Sequence, residues 1–514
     1  MFFSIFFTIF LTLIFYVVYR YIIRPKREIN RYLKAGFSIG YFYPFLGEYQ
    51  WYEELKRKYN NFEHIRLNFM SEHPNSKGVV TNTMDSPSLY VCDTALKKDF
   101  FTKKMQYYSK FQPTREALTM YPHTSNLIIS ELDVWKKHRR ILSTCFSYNF
   151  VMSTKSLIKE TAISHFEKMK NLTDLEIMNE FQTITGSVIM KVIMGSEFSD
   201  LTYKNKAAPI ALAEFINEML LSQMSLGFLI FGKSLWRKLS PKFGKLMNEF
   251  EEFLDTYIYK IYDQKFEEFK IKHKETDLQK FEGTSLIENI FKHILLHKEQ
   301  YSHKEAVSDI VILFVAGTDT TGHLLAHLLL LLQRNPEKFT ILLNEINNLL
   351  EKDPDPTAEK IMELEYLHGT IKESLRKLSP AGEFFPRIAL QDHYLGDVFI
   401  SKGTIVYMGF SFNFNDPKIF KDTDKFVPER WIKGHELYDG AEEKDFYSYL
   451  PFSGGARICL GWQMSLIEAK VILIEFLKRY KYKITNKEPM VWTLRLLAEF
   501  QDQLKADLTL NNKK

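Results

Sequence analysis

The chain is poor in cysteine: its 514 residues hold three, Cys92, Cys145 and Cys459. An odd, sparse set excludes a disulfide framework and suits a chain folded on the reducing side of a membrane. No Cys-x-x-Cys pair and no Cys/His cluster has zinc spacing, so a structural zinc site is excluded. No Gly-x-Gly-x-x-Gly turn or flavin motif occurs, and any electrons the protein uses come from elsewhere. A dominant charge is also missing. The 68 basic and 63 acidic residues leave +5, too balanced for nucleic acid binding. No internal repeat stands out. Aromatics are plentiful, which indicates large aromatic packing and assigns no function.

One apolar run is long. Phe2 to Tyr19 carries only Ser4, Thr8 and Thr12 as mild exceptions, just enough to cross a hydrocarbon core of roughly 30 Å. Arg20, Arg24, Lys26 and Arg27 follow at once, which places the bulk of the chain in the cytosol. A cleavable signal peptide would want a basic n-region, a shorter apolar run and a small-residue cleavage site. None is visible, so residues 1–23 read as a permanent single-pass anchor. Residues 24–49 read as linker and hinge: Pro25 breaks the helix, and Tyr43 to Gly47 form a turn into the body, residues 50–514. The sequon at Asn171 is unused if that side is cytosolic.

Within the body, residues 50–110 mix a helical pattern (Trp51 to Tyr59) with strand-like runs at Gly78 to Thr81 and Ser88 to Cys92. From about Val134 to Leu378 the pattern is helical. Strand-like segments return at Ile388 to Leu390, Val398 to Ile400 and Thr404 to Met408. Lys265 to Glu282 reads as a solvated helix end and loop. Ala211 to Phe231 is unusually apolar and is followed by Lys233, Trp236, Arg237 and Lys238. That arrangement suits either a membrane interface or core packing. Glu214, Asn217, Glu218 and Gln223 argue against a second span.

Five stretches stand out. Phe452-Ser-Gly-Gly-Ala-Arg-Ile-Cys-Leu-Gly461 places Cys459 in a glycine-flanked turn before a helical pattern from Met464 to Leu477. Gly454 and Gly455 permit a sharp turn, and Gly461 permits close passage by a bulky object. Helix-start N–H groups favour the thiolate, which ligates iron strongly. The bland alternative is a buried structural cysteine. Trp135-Lys-Lys-His-Arg-Arg140 puts Trp135 and Arg139 on one helix face, able to meet a buried anion, with Lys136, Lys137 and Arg140 roughly opposite. His303 to Arg334 reads as one long buried helix interrupted by Ala316-Gly-Thr-Asp-Thr-Thr321. Ala316, Asp319 and Thr320 fall on about a third of its circumference. Thr320 can hydrogen-bond to dioxygen or water, and Asp319 can relay protons. The alternative is a kink whose hydroxyls bond back to the preceding turn. Glu373 and Arg376 lie three apart on a helix from Tyr366 to Leu378, and Arg430 stands in Phe426-Val-Pro-Glu-Arg-Trp431.

These motifs, in this order, resemble the cytochrome P450 family, membrane-bound microsomal type, over essentially the whole chain. The resemblance implies a mainly α fold with a smaller β-rich portion behind one N-terminal transmembrane helix. It implies haem b held by the Cys459 thiolate in the family's loop, which begins at Phe452. Trp135, Arg139, Arg387 and Arg457 are then expected at the haem propionates. Asp319 and Thr320 are the expected proton-handling pair, and Glu373, Arg376 and Arg430 a structural lock. Phe384, Phe385, the 105–130 region, the apolar 211–231 stretch, the central helix and Thr493 to Leu497 are expected around the substrate. The implied reaction inserts one oxygen atom of O2 into a lipophilic substrate at the endoplasmic reticulum membrane. The implied donor is an NADPH-dependent cytochrome P450 reductase, with cytochrome b5 a candidate second donor and Lys136, Lys137 and Arg140 a docking face. Departures are the reduced hinge, Trp431 where the family usually has Phe, and Ser465 where it often has Ala. Two other readings use the same motifs: a reductase-independent haem-thiolate isomerase or dehydratase, which can dispense with the acid–alcohol pair, and a non-catalytic membrane haem-binding protein.

Overall fold

The computed structural model describes residues 2–45, 47, 50, 54, 57, 64–121, 124–169, 172–195, 202–222, 225–274, 276–281, 283, 285–297, 301–381, 386–488, 490, 492–494, 498–500 and 502–511. Helix α1 (Phe2–Val18) is apolar all round and exposes Phe6, Phe10 and Phe15 among others. Apolar side chains on every face with nothing packed against them suit lipid, not a core. The expected break at Pro25 does not occur. A π-turn at Tyr19–Ile23 leads straight into α2 (Arg24–Lys34), and the Arg24 N–H bonds back to Tyr19 O. The wider turn places Pro25 near a helix start, where its missing N–H costs little. Helix α2 buries Pro25, Glu28, Ile29 and Tyr32. Tyr32 Oη bonds to Thr404 Oγ1 at 2.9 Å, and Ser401 Oγ donates to Glu28 at 3.0 Å.

A small sheet follows. Strands β1 (Ser38–Ile39), β2 (Gly78–Thr83), β3 (Ser86–Val91) and β4 (Tyr108–Lys110) come from the first part of the chain. The expected turn near Tyr43 forms, with Gly47 N–H donating to Tyr43 O at 3.0 Å. Most of the Trp51 to Tyr59 pattern, Asn171, Phe384, Phe385 and residues 495–497 lie outside the described residues.

Helices then dominate, including α3 (Leu132–Leu142), α4 (Ile177–Met194), α5 (Leu226–Leu239), α6 (His303–Arg334) and α7 (Glu365–Lys377). The Ala211 to Phe231 stretch splits. Helix Ala208–Ser222 turns Leu212, Ile216 and Met219 into the core, whereas α5, kinked at Gly232, exposes Ile230, Phe231, Leu235 and Leu239. The apolar α6 is long enough to cross a membrane, yet most of it is buried in the body. A capping box starts it, with Ser302 Oγ accepting from Glu305 N–H and the Glu305 carboxylate accepting from Ser302 N–H. The chain leaves α6 at Asn335, and Pro336 opens the next helix.

Strands β5 (Arg387–Ala389) and β6 (Ile405–Met408) return to the sheet, whose order is β1-β2-β3-β6-β5-β4. Pairs β2/β3, β6/β5 and β5/β4 are antiparallel, while β1/β2 and β3/β6 are parallel. The last register sets Arg387 directly opposite Lys110. Helix α8 (Trp462–Arg479) buries Ile467, Val471 and Ile474 beside α6. Mainly α with a smaller β portion is therefore the observed class.

The lock forms around Glu373 in α7. Its carboxylate accepts from Arg376 Nε at 3.0 Å and Nη2 at 2.8 Å, from Arg430 Nε at 3.2 Å and from Val427 N–H at 3.0 Å. Trp431 Nε1 adds a donor at 2.9 Å, which a phenylalanine cannot supply. Burial disfavours the Glu373 charge, but Arg376 and Arg430 outweigh it and hold the carboxyl below its usual range.

Candidate functional site

The loop before α8 is built by two residues at positive φ, Ser453 and Gly455. A Cβ on Gly455 would stand 2.8 Å from Phe101 O, so this position needs glycine. Gly454 is extended at φ −147°, so of the two glycines expected to make the sharp turn only Gly455 takes a positive φ. Cys459 N–H closes the loop on Phe452 O at 2.9 Å. Cys459 keeps accessible surface although it lies deep in the protein. It therefore borders an internal space. Burial pushes the thiol up, while the Gly461 N–H and the Arg139 charge pull the other way. Cys459 stands before the helix, not in its first turn, so the helix-start effect is smaller than expected.

Helix α3 lies against this loop. Arg139 Nη1 donates to Ile458 O at 2.8 Å. The Arg457 guanidinium stacks over the Trp135 ring, 4.3 Å from its centre. Arg457 also donates to Ser130 O at 2.8 Å and to Glu131 Oε2 at 3.0 Å. From the sheet, Arg387 Nη1 reaches both Glu131 oxygens at 3.3 Å, and Lys110 N–H donates to Glu131 at 2.6 Å. Trp135, Arg139, Arg387, Phe452, Arg457 and Cys459 thus form one connected cluster.

Its cations crowd together. Lys110 and Arg387 are buried opposite each other, with Arg457 beside them. Like charges facing across a ladder repel. Arg387 and Arg457 both pair with the Glu131 carboxylate. Burial, joined by the neighbouring arginines, holds Lys110 well below its usual range and Arg457 at about 9. Burial holds Arg387 at about 10 against the pull of Glu131. Cationic side chains gathered in one desolvated volume suit a buried anion.

The α6 polar patch is divided by its own geometry. In the middle of α6, otherwise enclosed, Ala316 is exposed and Gly317 and Thr320 are half-buried, so this short stretch faces open space. Asp319 is buried, takes a short hydrogen bond from Gln182 of α4, and lies 3.9 Å from His323 Nδ1. Asp319 therefore stands at the edge of the sector it shares with Ala316 and Thr320, on the side that α4 covers. The hydroxyls of Thr318 and Thr320 do bond back to Phe314 O and Ala316 O, at 2.8 and 2.7 Å, yet α6 runs unbroken. Thr185 Oγ1 caps Thr318 O at 2.7 Å, and Gly322 lets α4 approach, since a Cβ there would stand 3.0 Å from Gln182 N. Thr321 Oγ1 meets Ser465 Oγ at 3.1 Å, joining this patch to α8. The Ser465 departure thus contributes an inter-helix hydrogen bond.

The predicted docking face is thinner than the sequence indicates. Lys136 pairs with exposed Asp133 at 3.0 Å, and half-buried Lys137 pairs with Glu305 at 3.2 Å, leaving Arg140 exposed. Sequence reasoning missed Lys110, Glu131 and Gln182. Glu131 bonds across 21, 256 and 326 residues, and no local pattern marks such a position. Its place just before the Trp135 helix was the one available signal.

The family model for cytochrome P450 matches residues 39–499. The chain is 26% identical to cytochrome P450 3A31 of Mesocricetus auratus over 81% of each chain. It is 25% identical to cytochrome P450 CYP13A5 of Caenorhabditis elegans, over 71% of this chain and 73% of that one. The fold is that of a solved cytochrome P450DA heme domain, with TM-score 0.72 and 18% identity over 93% of this chain and 98% of that one. The family match spans most of the sequence, the solved fold agrees, and the chain belongs to the cytochrome P450 family, monooxygenases whose cofactor is haem b.

Proposed function

We propose that the chain is a membrane-anchored monooxygenase that inserts one atom of O2 into a lipophilic substrate, with electrons from an NADPH-dependent cytochrome P450 reductase. The observation that carries this is the gathering of buried Lys110 and Arg387, with Arg457, around Glu131, against the loop that presents Cys459. The residues present fit haem: Cys459 as thiolate ligand of the iron, with Trp135, Arg139, Arg387, Arg457 and the unforeseen Lys110 toward the propionates. When bound, haem supplies the activation of O2, and its thiolate ligand favours O–O cleavage.

The chain's own residues do the rest. Lys110, Arg387 and Arg457 orient the anionic edge, and the stacked Trp135 ring keeps Arg457 in place. Arg139 fixes the Cys459 loop through Ile458 O. Thr320 Oγ1 spends its proton on Ala316 O and turns its lone pairs to open space, where it can accept a proton-bearing water. Asp319, held by Gln182, can relay a proton from one residue away by turning from that partner. The retained Asp319 and Thr320 favour oxygen insertion over isomerase or dehydratase chemistry. The exposed apolar α1 and the cations after it support endoplasmic reticulum anchoring with residues 50–514 on the cytosolic side.

The test is a carbon monoxide difference spectrum on the purified chain, followed by product analysis with reductase, NADPH and a lipid library. A thiolate-type Soret band that vanishes in Cys459→Ala, and NADPH-dependent oxygenated product, are the expected results. A band surviving in Cys459→Ala overturns the ligand assignment, and turnover without reductase overturns the electron source.

A further inference from the structure

The outer face of α2 carries a cleft of about 710 Å3 lined by Ile22, Ile23, Lys26, Arg27, Asn30, Arg31 and Lys34. These residues repeat with helical spacing, and they are the complement of Pro25, Glu28, Ile29 and Tyr32, which α2 buries. The buried side is fastened to the sheet region through Tyr32–Thr404 and Ser401–Glu28. The basic side is therefore held outward in one orientation. Four cations line the cleft, and among the described residues the ion pairs they make run to Glu28, which pairs with Arg31 and lies 3.7 Å from Arg27. Arg31 is also fixed over the Phe399 ring, 4.7 Å from its centre, and its Nε is buried without a hydrogen-bond partner. Arg20, by contrast, is already taken up by Asp85 at 2.7 Å and Tyr16 at 2.8 Å.

The position along the helix identifies the occupant. The helical run from Phe2 through Ile23 is roughly 33 Å long at 1.5 Å per residue, close to a hydrocarbon core of roughly 30 Å. The cleft begins with two isoleucines at that boundary and becomes cationic one turn later. An apolar lip followed by fixed ammonium and guanidinium groups matches acyl–glycerol followed by phosphate.

We propose that this cleft binds the headgroup of an anionic phospholipid in the leaflet next to the catalytic body. The proposal rests on the anchoring reading above and adds lipid selectivity to it. Because α2 is continuous with α1 and fastened to the sheet, an occupied cleft also sets how the body stands on the membrane.

The experiment uses the haem-loaded full chain in phosphatidylcholine vesicles containing spin-labelled phosphatidylserine or spin-labelled phosphatidylcholine. Flotation with the neutral vesicles is read first, because a chain that does not float overturns the anchoring reading itself. In the floating protein, the immobilised lipid signal is expected to favour phosphatidylserine. The preference should fall about fivefold for each cation removed in Lys26→Gln, Arg27→Gln and Lys34→Gln, and fade at high salt. Lys272→Gln with Lys274→Gln, on another exposed basic segment, should leave it unchanged. Equal immobilisation of both lipids by the wild-type chain, or an unaltered preference in the triple variant, overturns the proposal. So does full displacement by soluble glycerophosphoserine, which would make the cleft a site for free anions.

Discussion

Thr320 and Asp319 are neighbours in sequence with different surroundings. Thr320 faces open space, while Asp319 is buried against Gln182. Thr320→Ala should raise peroxide release relative to product, measured as coupling of NADPH consumed to product formed. Gln182→Leu should shift the pH profile of that coupling while leaving the carbon monoxide spectrum intact. Unchanged coupling in both variants would remove the pair from proton handling. His138 gives a second residue-scale test. It is fully buried, its Nδ1 2.5 Å from Asp309 Oδ2 and its Nε2 3.5 Å from Glu305, with Tyr301 also donating to Asp309 and Lys137 pairing with Glu305. Burial is the largest single influence and favours the neutral ring, but the bonds and charges of Asp309 and Glu305 outweigh it and raise the imidazole to about 9. A raised folded pKa means stability that is full below the unfolded value of about 6.5 and is lost as pH rises through the folded one. The stability gap between wild type and His138→Gln should therefore narrow from pH about 6 to about 10. Urea unfolding that shows a constant gap would mean the ring is not charged.

At the scale of elements, the α7 lock shows what a single departure can add. Trp431 donates to a carboxylate already shared by Arg376 and Arg430. Trp431→Phe should cost about 1.5–3 kcal/mol, the usual range for a hydrogen bond to a charged group. Glu373→Ala should cost about 3–5 kcal/mol, because two buried guanidinium groups lose their counter-charge. Chemical denaturation followed by fluorescence checks both, and equal losses would mean Trp431 contributes packing alone. The helix boundaries here were legible in advance. Periodicity gave α6 and α7 to within a residue or two, since apolar spacing and the stops at Pro336 and Leu378 act locally. Pro25 misled for a related reason: a proline rule describes an α-helix, and the chain entered a π-turn.

For the whole molecule, α1 exposes its apolar surface while the cores beneath the sheet and around α6 close without it. Removing residues 2–18 should leave a folded body that still gives the thiolate-type spectrum and leaves the membrane fraction on carbonate extraction. Retention of the shortened chain would point to a second contact, for which the exposed Ile230, Phe231, Leu235 and Leu239 of α5 are the candidates. Loss of the spectrum would show that α1 is needed for folding.

The order of motifs from Trp135 to Cys459, the helical middle and the N-terminal apolar run were all readable from the sequence. Each depends on spacing within one segment or on a family pattern, and both survive without coordinates. The charge balance around the candidate cofactor site was decided by tertiary structure. Lys110, Glu131, Arg387 and Arg457 meet because an antiparallel register, a helix entrance and a glycine-dependent loop converge. What a buried cation meets depends on which charges share its desolvated volume, and that volume exists only after the chain has folded.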